Sequence, residues 1–131
     1  MVLLTRSIYF LLLTGALVTL GCLAYAGDPQ QPSWWVFLPL FGAWTLFPYA
    51  AVGAAARHYP ASRGSLVTLA FAAALLSGFG TVVLYIAFVA QPDAQSGIVL
   101  VVLPLWQLVG LLPFLLLSRY LGRREQSLRD E

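Results

Sequence analysis

With 131 residues, 60% of them hydrophobic and only 9% charged, and a mean hydropathy of +0.85, the chain has the length of one small domain and the composition of a membrane-embedded one. That composition excludes disorder, which requires low hydrophobicity, and a water-soluble helical fold, which would need charge along the exposed face of each helix. The net charge of +2 rests on seven arginines at the ends of apolar segments, a placement that fits membrane topology rather than phosphate binding, so no nucleic-acid partner is expected.

Full charges interrupt the chain only at its ends and connectors, leaving residues 7–27, 29–56, 64–92 and 94–118 uncharged. Four spans are predicted, at approximately 7–26, 34–56, 65–90 and 97–118, each meeting the roughly 20 residues that cross about 30 Å as helix. Strand is not an option for the Val/Leu runs, because an isolated spanning strand leaves backbone groups unpaired in hydrocarbon. The expected fold is an all-α membrane protein, one domain over residues 1–131, with four transmembrane helices in a compact bundle.

The first span has two readings. Arg6, the apolar run over residues 8–20 and Ala24-Tyr25-Ala26 before Gly27 resemble a secretory signal with a small-x-small cleavage site, which would leave three mature spans. A single arginine ahead of a segment long enough to cross favours retention. Cys22, the only cysteine, excludes an intrachain disulfide.

Trp34 and Trp35 open the second span beside a polar connector, where an indole sets its N–H among headgroups, and Tyr59 and Tyr120 suit the opposite interface. All four read as interface anchors, with a carbohydrate platform as the lesser reading of the tryptophans. Arginines 6, 57, 63 and the four after the last span fall on one side, which predicts both termini in the cytoplasm and the Asp28 and Asp93 connectors outside.

At similar depth lie Thr45 and Tyr49 in span 2, Ser77 and Thr81 in span 3, and Gln107 in span 4. These form the candidate intramembrane polar cluster, bonded between helices or facing a small polar solute. Gln107 should point inward, since lipid satisfies neither end of its amide. Small residues at Ala70, Ala74 and Gly78 recur every fourth position, a spacing that permits close helix contact within the chain or with a partner helix.

A shift of 65 residues lays Asp28 on Asp93, Gln30 on Gln95, Pro39 on Pro104, Leu40 on Leu105, Leu46 on Leu111 and Pro48 on Pro113. Residues 1–64 and 65–131 are thus expected to be two parallel helical-hairpin repeats. Pro39, Pro48, Pro104 and Pro113 should bend spans 2 and 4, each removing one helical hydrogen bond.

No span carries Asp, Glu, Lys, Arg or His, so the usual charged catalytic or proton-coupling groups are missing, and neither an enzyme nor a cofactor is expected. His58 lies at the cytoplasmic boundary, far from Asp28 and Asp93, and reads as an ordinary boundary residue. The two aspartates read as polar turns rather than a shared cation site. Arg119, Arg123 and Arg124 suit anionic headgroups, with the following acidic residues arguing against a strong polybasic effector.

Asp93-Ala94-Gln95-Ser96-Gly97 with Leu103-Pro104-Leu105-Trp106-Gln107 resembles a pattern in short, uncharacterised bacterial inner-membrane proteins with four predicted spans. Trp106 stands where tyrosine is more usual. The resemblance implies residence in a bacterial inner membrane and carries no activity. The expected role is an accessory, assembly or membrane-organising component acting through helix packing, with the bilayer and a second copy or another membrane protein as partners. The alternative is a facilitator of small-solute or lipid movement through a polar route around Gln107.

Overall fold

The computed structural model describes residues 1–93 and 95–131; Ala94, part of the resemblance segment, lies outside the described residues. Four helices follow one another: α1 (Val2–Ala26), α2 (Trp34–His58), α3 (Arg63–Tyr85) and α4 (Ser96–Arg129), with a π turn over Ile86–Ala90 continuing α3. No strand occurs among the described residues. All four helices are long and apolar enough to cross a membrane. The chain is a small integral membrane protein of the multi-pass kind.

Its surface supports that conclusion independently of helix length. Phe10 is 70% exposed, Trp106 67% and Leu116 65%, as are large apolar side chains on every helix. In water such a surface would be an aggregation patch, whereas in hydrocarbon it is the expected exterior.

Neighbours in the bundle run α1–α3–α4–α2 and back to α1. The tightest packing joins α1 to α3, not to α2, its partner in the first hairpin. α2 also meets α3 across the centre, while α1 and α4 form the open diagonal.

Apolar side chains collect in two clusters. One, toward the chain termini, holds Ile8, Leu12, Val52, Leu69, Leu76 and Leu111; the other, toward the Asp28 and Asp93 connectors, holds Leu23, Leu84, Leu100 and Leu103.

Local bonding sets the helix ends. Ser62 caps α3, its hydroxyl accepting from the Ser65 N–H at 3.0 Å. Near the same end of the bundle the Ser65 and Ser118 hydroxyls bond at 2.7 Å, tying α3 to α4. Gly122 lies so close to the α2–α3 connector that a Cβ there would sit 2.8 Å from the Pro60 carbonyl oxygen. At the other end Ser96 donates to the Ala87 carbonyl at 2.6 Å and accepts from the Asp93 N–H, which pins the π turn to the start of α4.

α2 and α4 run unbroken through their prolines. The repeat-matched prolines have different surroundings, however: Pro39 is exposed where Pro104 is buried, and Pro48 is buried where Pro113 is exposed. The two helices therefore turn different faces to the bundle at matched positions. Beside Pro104, which leaves the Leu100 carbonyl without its helical donor, the Trp44 indole N–H donates to the Val101 carbonyl at 3.0 Å and links α2 to α4. α4 also outruns its predicted span, because residues 119–129 remain helical; its 34 residues make about 51 Å of rod.

Candidate functional site

Between the two apolar clusters lies a polar layer to which every helix contributes. Tyr49 is its hub, 5% exposed, with its hydroxyl 3.3 Å from Thr19 Oγ1 on α1. Thr19 also donates to the Gly15 carbonyl one turn back at 2.8 Å, so the α1 face that meets Tyr49 reads Gly15-x-x-x-Thr19. Ser77 on α3 donates to the Leu11 carbonyl at 2.7 Å, a bond between helices to a carbonyl already inside the α1 ladder.

Two glycines make this convergence sterically feasible. A Cβ at Gly15 would lie 2.5 Å from Tyr49 Cε1 and 2.6 Å from Ser77 Oγ. A Cβ at Gly80 would lie 2.8 Å from Gln107 Nε2 and 3.0 Å from the Tyr49 hydroxyl. Gly80 is thus the gap through which the α4 amide and the α2 phenol approach each other.

The predicted cluster is only partly assembled. Tyr49, Ser77 and Gln107 come together, while Thr45 is buried and bonds within its own helix to the Gly42 carbonyl at 3.2 Å. Thr81 is half-buried beyond the junction. Thr19, Gly15 and Gly80 were not anticipated. The signal for the first two was present, a small residue and a hydroxyl four apart on one helical face.

Gln107 differs from its neighbours. It is 6% exposed, and its amide nitrogen is directed at the gap it shares with the Tyr49 hydroxyl, not at Thr19, Thr45 or Ser77. Its amide meets Gly80 and Tyr49 on one side and lines a groove between α3 and α4 on the other, among Leu76, Phe79, Trp106, Gly110 and Phe114. The layer supplies hydrogen-bonding groups at mid-depth without an ionisable acid or base of ordinary strength, and no cluster of His, Cys, Asp or Glu among the described residues could hold a metal ion.

The aromatic residues at the helix ends have distinct surroundings. Trp34 is half-buried and packs against the apolar cluster near the connectors, whereas Trp35 is exposed and donates its indole N–H to the Pro29 carbonyl at 3.1 Å. Tyr59 is half-buried against the other cluster and Tyr120 is exposed. Asp28 closes its turn by accepting from the Gln30 N–H at 3.1 Å.

Comparison of the chain with known protein families, curated proteins and solved structures returned no match.

Proposed function

We propose that the protein is a non-catalytic assembly or membrane-organising component, and that it works by presenting the outer face of α3 to another transmembrane helix. One observation carries this reading. Of the small-residue row, Ala70 packs partly against the core, whereas Ala74 and Gly78 are exposed, and no atom lies within 4 Å of where a Gly78 Cβ would stand. Hydrocarbon offers no hydrophobic drive for helices to associate, so a shallow track that lets backbones approach is how a membrane helix gains contact.

A facilitator of solute or lipid movement draws less support. Thr19, Tyr49 and Ser77 direct their polar atoms to neighbouring helices, which knits the bundle instead of lining a path.

In mild detergent the wild-type chain is expected to run as an assembly heavier than its own 14.3 kDa, with a second copy or a membrane-protein partner, and Gly78→Leu should return it to the single chain. The added side chain points into open space, so the bundle itself should stay intact. Purification of the wild type as a lone monomer would refute the assembly role.

The resemblance of residues 93–107 supports residence in a bacterial inner membrane, and the arginine distribution supports both termini being cytoplasmic. The same reading retains α1, which supplies Ile8, Leu12 and Leu23 to the core and the Leu11 carbonyl to Ser77. Intact mass of membrane-extracted protein should include residues 1–26; a mass lacking them would overturn retention.

A further inference from the structure

The two aspartates at the connector end of the bundle are used differently. Asp28 puts its carboxylate into its own turn, accepting from the Gln30 N–H at 3.1 Å. Asp93 is held through its backbone instead: its N–H donates to Ser96 Oγ at 3.0 Å, its carbonyl accepts from the Ser96 N–H at 3.0 Å, and Ser96 is itself bonded to the Ala87 carbonyl. The Asp93 carboxylate takes no hydrogen bond or ion pair among the described residues. Every arginine and the one histidine stand toward the opposite end of the bundle, so no basic group of the chain is near enough to neutralise it.

This carboxylate borders a depression of about 520 Å³, walled by Tyr25 and Ala26 at the end of α1, Phe88 and Val89 in the π turn, and Ser96 and Gly97 at the start of α4. The last carbonyls of a helix lack intrahelical donors and carry the negative end of its dipole, and neither α1 nor the π turn has a basic side chain in its last turn to offset this. At the start of α4 the Ser96 and Ile98 N–H groups are already bonded to the Asp93 and Gln95 carbonyls. Acceptors therefore predominate around the depression. From Asp93 and Ser96 it runs into a second one of about 500 Å³, which follows the α3–α4 seam over Val83, Ile86, Ile98 and Val99. That seam continues past Phe79 and Trp106 with an entirely apolar lining.

The polar end calls for a cation that carries N–H donors, and the seam below it for an apolar chain. A metal ion would use only the first, and no group of three ligating side chains is present among the described residues. An anionic head would meet like charge at Asp93, and a quaternary ammonium has no N–H to give the helix-end carbonyls. We propose that the depression at Asp93 is a headgroup site for an ethanolamine phospholipid, whose primary ammonium pairs with the Asp93 carboxylate and the carbonyls ending α1 while one acyl chain lies in the α3–α4 seam. The site does not involve Ala74 or Gly78 and does not depend on assembly.

The test is native mass spectrometry of the full chain in micelles containing equal amounts of dioleoyl phosphatidylethanolamine, phosphatidylcholine and phosphatidylglycerol. One retained ethanolamine lipid is expected, preferred about fivefold over the choline lipid, the order of one partly exposed ion pair. Asp93→Asn should remove the preference yet unfold as the wild type does, because Ser96 and the backbone close the turn without the carboxylate. Asp28→Asn should keep it. Gly97→Leu should lower retention of the ethanolamine lipid, since Gly97 walls the depression and nothing lies within 4 Å of its Cβ position. Equal retention of the ethanolamine and choline lipids, a preference unchanged in Asp93→Asn or in Gly97→Leu, or the same loss in Asp28→Asn would each overturn the proposal.

Discussion

Alanine at Gly15 is expected to destabilise the bundle by about 1–3 kcal/mol, the usual cost of forcing a methyl into a filled core. Tyr49 Cε1 and Ser77 Oγ both occupy the space the methyl needs, at 2.5 and 2.6 Å. Neither can withdraw freely, since Ser77 is bonded to the Leu11 carbonyl and the Tyr49 hydroxyl faces Thr19. Gly21→Ala, on the same helix with no atom within 4 Å of its Cβ position, should be neutral or slightly stabilising. Equilibrium unfolding in mixed detergent–lipid micelles checks both. Equal stability of the two variants would show that α1 does not approach α2 and α3 as closely as described.

Removal of the hub should have a comparable effect through the opposite defect. Tyr49→Ala leaves a void where four helices meet, and a loss of about 2–3 kcal/mol is expected. This falls at the low end for aromatic truncation because the unfolded reference is also in lipid, which removes most of the solvent-transfer part and leaves the packing part. Tyr49→Phe keeps the ring and loses only the hydroxyl, so its cost should be about 0.6 kcal/mol, typical of a hydrogen bond between membrane helices. A Phe variant as damaged as the Ala variant would mean that hydrogen bonding, not ring packing, holds the layer together.

Depth was readable from the sequence and direction was not. Charged residues fixed the four spans to within a few positions at most ends, and counting inward from those ends placed Tyr49, Ser77 and Gln107 at one level. Whether a side chain at that level faces the interior depends on rotation about the helix axis. A helix apolar on every side carries no stripe to reveal that rotation. Thr45 shows a further limit: it does face the interior, at 2% exposure, yet its hydroxyl bonds the carbonyl three residues back on its own helix instead of a neighbouring one.

The row of Ala70, Ala74 and Gly78 has the same spacing whether it faces inward or outward; Ala74 and Gly78 are exposed, while Ala70 packs partly against the core. Pro39 and Pro104, equivalent by sequence shift, differ in burial for the same reason. The continuation of α4 past residue 118 was obscured by its arginines, which mark where a span leaves hydrocarbon but not where the helix stops.

The preference of α1 for α3 over α2 has a consequence for biosynthesis. A first hairpin emerging from the ribosome can bury only the smaller part of the α1 contact surface, and the hydroxyl that bonds the Leu11 carbonyl is 66 positions downstream of it. Until α3 has been translated and inserted, Thr19 has Tyr49 as its neighbour but the pair lacks the Ser77 and Gly80 wall that encloses it. The nascent chain must therefore hold two inserted but incompletely packed helices at the translocon exit, and tertiary closure falls late in synthesis, after Tyr85 has left the tunnel.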